Sequence, residues 1–253
     1  PLRDIAGGVL TSSQDGILLP VRDAWWYVPY VPMQARGKPT LGSDDYTALN
    51  PDFGAIFTYY LPETATTVRE KRREAERVLR EQGRDVSFPG YDVLRDEGVE
   101  ADPRLLVIVR DSQGQPVRWV EGPSRAGLHR VNWDLRYPPP DPITQSSPGF
   151  VPPWVSSPQG PLAAPGVYSA ELVLVSSAGV RSISSLQQFE VRPVLNAPSG
   201  TDFNAVVVFQ QEVSELYRRV SGAGTELEGV ADRLRDMRAA LTETPNADPA
   251  LFQ

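Results

Sequence analysis

The 253-residue chain has no cysteine at all. That absence removes disulfides, thiolate zinc sites and thiol nucleophiles together, and it fits a cytosolic protein and an exported bacterial one without disulfides equally well. A single histidine, His129, leaves no His-rich metal site, so a metal would have carboxylates as its remaining ligands. Basic residues are the minority, 25 Lys and Arg against 32 Asp and Glu, and the formal charge is −7. Nucleic acid and anionic membrane both reward a basic face, so neither is the expected partner. No apolar run approaches the roughly 18 to 20 residues of a membrane span, and no charged-then-apolar signal peptide opens the chain. The opening "PLRDIAGGVL" reads as an entry into the middle of a protein, so the expectation is a fragment or a processed chain.

What is abundant is proline. Twenty-five prolines are about twice the ~5% average, and they mark where regular structure cannot run. They divide the chain into an extended lead-in over 1–52, a β-rich body over 53–194 with a Pro-rich loop at 138–165, and a helical arm over 202–253. In the lead-in, Trp25, Trp26, Tyr27 and Tyr30 form a dense aromatic stretch, "DAWWYVPYVP". Such a stretch suits stacking on a sugar or contact with a partner, and it also suits packing of a linker onto its neighbouring domain.

In the body, "FGAIFTYYLPE" has strand composition. The following "TTVREKRREAERVLREQGRD" reads as an inserted helix over about 66–83, with Thr67 and Glu70 at capping-box spacing and Gly83 as its stop. Its apolar stripe is thin and glutamates interleave with its arginines, as on a solvated surface face. Leu105–Val109 and Pro116–Val120 form a hairpin around Gly114, the first run apolar on both faces as in a central strand. In "AGLHRVNWDLRYPPP", period two puts His129, Val131, Trp133, Leu135 and Tyr137 on a core side and Arg130, Asn132, Asp134 and Arg136 on a polar side. His129 therefore reads as a histidine at a strand end, since no nucleophile signature accompanies it. Asp134, between arginines, reads as their ion-pair partner. A strand carrying Tyr168, Ala170, Leu172 and Leu174, a turn near Gly179 and a closing strand through Phe189 and Val191 complete six or seven strands between 53 and 192. The predicted fold is mainly β with α, an antiparallel Ig-like β-sandwich.

After Asp202 the period changes. Val206, Phe209, Val213, Leu216 and Val220, then Leu227, Val230, Leu234, Met237 and Leu241, recur at three-four spacing. The seven-residue step from Val220 to Leu227 favours one long helix, whereas Gly222, Gly224 and Gly229 leave a helical hairpin open at about 1 kcal/mol each. Such a helix needs a partner, and "NADPALFQ", with Asp248 before Pro249, reads as a returning helix cut short.

"NPDFGAIFTYYLPE", "VRDSQGQPVRW", "GPSRAGLHRVNWDLRYP" and "APGVYSAELVL", in this order, resemble the region C-terminal to the β-propeller in bacterial sortilin-like proteins, a family also labelled as glycosyl hydrolases with Asp-box (BNR) repeats. The sandwich resembles the Ig-like domain of flagellar hook-cap proteins. No Asp-box of the S-x-D-x-G-x-x-W kind occurs in the chain. The resemblance therefore implies a chain without the propeller, with no catalytic, cofactor-binding or metal-binding residue to carry over. It implies a secreted, extracellular or periplasmic protein whose partners are proteins: its own propeller, a second copy, or a larger surface complex reached through the C-terminal helix. The alternative is the rim of a glycoside-hydrolase-like or peptidase-like enzyme, with Asp44, Asp45 or Asp134 contributing. Glycoside hydrolysis would need two carboxylates about 5 to 10 Å apart across a cleft, and Asp44 and Asp45 lie in a turn of common solvated composition.

Overall fold

A computed structural model describes residues 16–28, 51–143, 150, 152, 155, 158–194, 201–246 and 250. The chain divides into two compact units, Pro1–Arg136 with Ala163–Thr201, and Tyr137–Leu162 with Asp202–Gln253. The first unit is a β-sandwich. Strands β1 (Ile17–Leu18), β3 (Ala55–Leu61) and β6 (Gly127–Trp133) make a three-stranded sheet in the order β1-β3-β6. The other sheet runs β2-β9-β7-β4-β5, from β2 (Ala24–Trp26), β9 (Gln187–Pro193), β7 (Gly166–Ser176), β4 (Arg104–Arg110) and β5 (Pro116–Gly122), with β8 (Gly179–Ser182) also beside β7. Every pairing is antiparallel except β2 with β9, which is parallel. Among the described residues seven strands, β3 to β9, fall within the body, in line with the six or seven expected from the turns.

The core forms where the two sheets face each other. Phe57 from β3 and Trp133 from β6 meet Tyr168 from β7 and Phe189 from β9, all four buried. Trp133 stands edge-on to Tyr168 at 5.3 Å and to Phe189 at 6.3 Å, and Phe57 stands edge-on to Phe189 at 5.6 Å. These are the offset geometries that aromatic quadrupoles favour. The polar ends are satisfied, with Trp133 Nε1 donating to the Arg136 carbonyl at 2.9 Å and the Tyr168 hydroxyl to that of Ala164 at 2.7 Å. β4 lies between β5 and β7, and Leu105, Leu106, Val107 and Val109 are all buried, which is why it lacks a polar face.

β6 alternates as expected: His129, Val131 and Trp133 are each less exposed than Leu128 and Arg130. The alternation ends sooner than the sequence suggests. The strand stops at Trp133, and Leu135, although fully buried, adopts a left-handed backbone with φ of 54°. The cause is local, because the Asp134 carboxylate accepts the Arg136 N–H at 3.2 Å and closes a turn. Asp134, expected to pair with the neighbouring arginines, closes a turn on the Arg136 main chain.

Two helices separate β3 from β4. α1 (Val68–Glu81) begins at a complete capping box between Thr67 and Glu70 and ends at Gly83, whose φ is 69°. It buries no residue, and its four-apart pairs Glu76–Arg80 and Arg77–Glu81 both form. α2 (Tyr91–Val99) is not foreseen from the sequence. The two are joined by Arg72, whose guanidinium grips Glu97 at 2.6 and 2.7 Å. Glu97 is buried, and the hydrogen bond from Arg72 holds its carboxyl below the ordinary value of 4.5. A carboxyl lowered on folding stabilises above its unfolded value and loses that support as pH falls through the folded one. Urea midpoints of the wild type should therefore drop on the acid side of 4.5; Arg72→Gln should be less stable at neutral pH and show a shallower acid-side drop, and parallel curves would refute this coupling.

In the second unit, α3 (Phe203–Glu243) is one continuous helix of 41 residues. Asp202 caps it by accepting the Ala205 N–H at 3.0 Å. Of the two arrangements open from the sequence, the single helix is the one formed, running through Gly222, Gly224 and Gly229 without interruption.

Candidate functional site

The aromatic lead-in is divided by strand geometry. β2 pairs in register with β9, Ala24 opposite Val191, Trp25 opposite Arg192 and Trp26 opposite Pro193, so successive side chains leave on opposite faces. Trp26 is partly buried, and its Nε1 donates to the Ala163 carbonyl at 2.7 Å. Trp25 is 59% exposed, next to an ion-paired group in which Arg192 meets Asp23 at 2.9 Å and Glu190 at 2.8 Å. Tyr27 stands edge-on to Phe53 at 4.8 Å. Tyr30 lies outside the described residues, as do Asp44 and Asp45. Trp25 and Trp26 thus lie on opposite faces of β2.

His129 sits at the start of β6 against the Tyr59 ring, with centroids 5.4 Å apart, and its Nε2 is 2.8 Å from the Arg125 carbonyl oxygen. The Tyr59 hydroxyl donates to the Pro123 carbonyl at 2.9 Å, and burial pushes it from 10.0 up to about 12. Unfolded chains ionise this phenol first, so its contribution is complete below 10 and is lost as pH climbs towards 12. Urea titrations at rising alkaline pH should show this loss in the wild type and a smaller one in Tyr59→Phe; equal slopes would refute it.

A cleft of about 360 Å³ opens between the end of β3 and the β7–β8 turn. Glu63, Thr64, Lys71, Ser176 and Arg181 line it beside apolar Leu61, Leu174 and Ile183. Thr64 Oγ1 accepts the Ala126 N–H at 2.9 Å, so this wall is fixed to the segment before β6. Nearby, Glu100 accepts the Val68 N–H at 2.9 Å and the Ser177 hydroxyl at 2.6 Å, tying the α1 N-terminus to the same turn. The Ser177 hydrogen bond, followed by that of Val68, lowers the Glu100 carboxyl below its ordinary value. Both serve to hold loops together. Among the described residues, no three His, Asp or Glu side chains gather as a metal site would require.

Apolar surface is the more prominent feature. On the helical insertion, Phe88, Tyr91, Val93, Leu94 and Val99 are all exposed, with Phe88 and Tyr91 edge-on at 5.1 Å. Along α3 the seam residues from Val206 to Met237 are between 46% and 71% exposed, and Val207 is the buried residue of the helix. Contiguous apolar surface of this kind marks interaction sites. Within the second unit, Pro140, Asp141 and Pro158 face Val213, Ser214 and Tyr217 around an open cavity, flanking part of that seam. Among the described residues, no helix is long and apolar enough to cross a membrane.

The class these features define is a mainly β protein with helices: a β-sandwich carrying a helical insertion, and a long C-terminal helix with an uncovered apolar seam. Comparison with protein families and with curated sequences gives no match. Among solved structures, the chain is similar to CopC from Methylosinus trichosporium OB3b at 12% identity, covering 72% of this chain and 99% of that one, with a TM-score of 0.26. So low a score carries no functional argument.

Proposed function

We propose that this chain is a non-catalytic accessory and assembly region of an exported sortilin-like β-propeller protein, its Ig-like sandwich presenting helices that make contacts within or between molecules. The observation that carries the reading is the exposed seam of α3, apolar at three-four spacing at five positions from Val206 to Val220 and again at five from Leu227 to Leu241. A helix with an apolar stripe ordinarily buries it against another element. The exposed apolar residues of the insertion, Phe88, Tyr91 and Val99, support it, since a second contact surface suits docking on a neighbouring domain. The order of the quoted sequence stretches supports the family and the export. Asp134, the one candidate acid of the enzyme-rim alternative among the described residues, has its carboxylate engaged in a turn.

The test is turnover of sugar and peptide substrates by the isolated chain and by a version that includes the propeller, together with binding of the chain to a separately produced propeller. The reading expects no turnover above buffer from the isolated chain and a complex between the two parts. Turnover by the isolated chain would overturn it.

A further inference from the structure

We propose that α3 pairs with the α3 of a second copy of this chain as an antiparallel two-stranded coiled coil, centred at Ser221 and Gly222. This rests on the assembly reading above and names the partner. The seam follows an unbroken seven-residue repeat. One apolar position of the repeat is filled by Val206, Val213, Val220, Leu227, Leu234 and Leu241, and the other by Phe209, Leu216, Ala223, Val230 and Met237. Small Ala223 continues the seam where the glycines cluster. A strict seven-residue period over a single helix is the pattern that winds two helices together.

The charges beside the seam select both the partner and the direction. The position preceding the first apolar residue is occupied in the four central repeats by Glu212, Arg219, Glu226 and Arg233, alternating in sign, and by Ala205 and Ala240 at the two ends. In an antiparallel pair this flank meets its own counterpart. When Val220 faces Ala223 of the second copy, Leu216 faces Leu227, Val213 faces Val230, Phe209 faces Leu234 and Val206 faces Met237. In that register Glu212 meets Arg233 and Arg219 meets Glu226, and twofold symmetry repeats both pairs. The opposite flank brings together Gln210 with Ala231 and Tyr217 with Gly224, neither of them a like-charge pair. A parallel pair would instead set Glu212 against Tyr217, Arg219 against Gly224, Glu226 against Ala231 and Arg233 against Arg238, giving no attraction and one repulsion. The pattern is complementary to itself about its own midpoint, which a partner of unrelated sequence would not require. Among the described residues neither Glu212 nor Glu226 has an ion-pair partner within the protomer, whereas Arg219 meets Glu215 at 3.0 Å and retains further guanidinium donors. The cavity lined by Pro140, Asp141 and Pro158 borders the seam at Val213 and its flank at Tyr217, two turns from the Val220–Ala223 centre of the pairing.

The full chain in light scattering and sedimentation at ~10–100 µM should have twice the 27.8 kDa mass of one copy. Glu212→Arg with Glu226→Arg makes the flank uniformly basic, and Arg219→Glu with Arg233→Glu makes it uniformly acidic. Each double variant should dimerise on the order of tenfold or more weakly, because like charges face each other along the seam. Mixed one to one, they should recover a heterodimer, an outcome that a folding defect cannot produce. The absence of cysteine allows single spin labels. Labels on Gln211→Cys should be offset by about 30 Å along the helix axis and on Thr225→Cys by about 10 Å, whereas a parallel dimer gives equal separations. A monomeric wild type, a mixture that stays monomeric, or equal separations would each overturn the pairing. None of these touches the accessory reading, which falls instead on turnover by the isolated chain.

Discussion

Trp133→Ala is expected to lower the stability of the sandwich by about 3–5 kcal/mol, the range for removing a large aromatic from a packed core. Trp133 is 1% exposed and is the largest fully buried side chain described. Its ring touches side chains of both β7 and β9, and its indole N–H closes the turn at Arg136. Truncation removes contacts between the two sheets and a satisfied donor together, and the facing strands β7 and β9 are each hydrogen-bonded on both sides and resist collapse into the space. Urea unfolding should show the midpoint falling with an unchanged slope. Trp119→Ala supplies the comparison, since Trp119 is exposed on β5 and surface substitutions usually stay within about 0.5 kcal/mol. Equal midpoints for the two variants would contradict a core centred on Trp133.

Gly54→Ala should be comparably damaging, although it adds only one methyl group. Gly54 has φ of 119°, and a Cβ there would stand 1.9 Å from the Trp133 carbonyl oxygen and 2.8 Å from its carbonyl carbon. Backbone atoms cannot rotate away as a side chain can, so the β3–β6 ladder must open at its first pair, Ala55 with Trp133. A loss on the order of 3 kcal/mol or more is expected. Gly83→Ala separates the clash from the backbone penalty: Gly83 also has positive φ, 69°, but nothing lies within 4 Å of its added carbon. That variant should lose only about 1–2 kcal/mol, the left-handed cost alone. If the two alanine variants unfold at the same urea concentration, the close approach at Gly54 is wrong.

Of these two positions Trp133 is the one legible in the sequence, whereas the close approach at Gly54 follows from the β3–β6 register. Trp133 stands out because a half-buried strand writes its burial as period two, and "LHRVNW" keeps that period. The same rule fails two residues later, where Asp134 turns the chain and Leu135 reaches the core by a left-handed backbone instead of by alternation. Period carries no information about a side chain that folds back on its own main chain. α2 is invisible for a related reason: Gly90 offers no side-chain cap, and the residue it buries is Glu97, a carboxylate whose burial makes sense only with Arg72 on the other helix. The division of Trp25 from Trp26 also requires knowing that β2 pairs with β9. The α3 seam is readable throughout, because its period survives the glycines, but the alternating charges beside it acquire meaning only once the helix is known to be continuous.

The parallel pairing of β2 with β9 has a mechanical consequence. The polypeptide enters the ladder at Ala24 and leaves at Pro193, before the residues that lead to α3, and in a parallel pair those two points lie at opposite ends. Tension between the start of β2 and the end of β9 therefore slides one strand along the other and strains every rung at once, so the ladder yields as a block and does not unzip bond by bond. The Arg192 contact to Asp23 and the bond from the Val194 N–H to the Trp26 carbonyl add further fasteners in the same line of force.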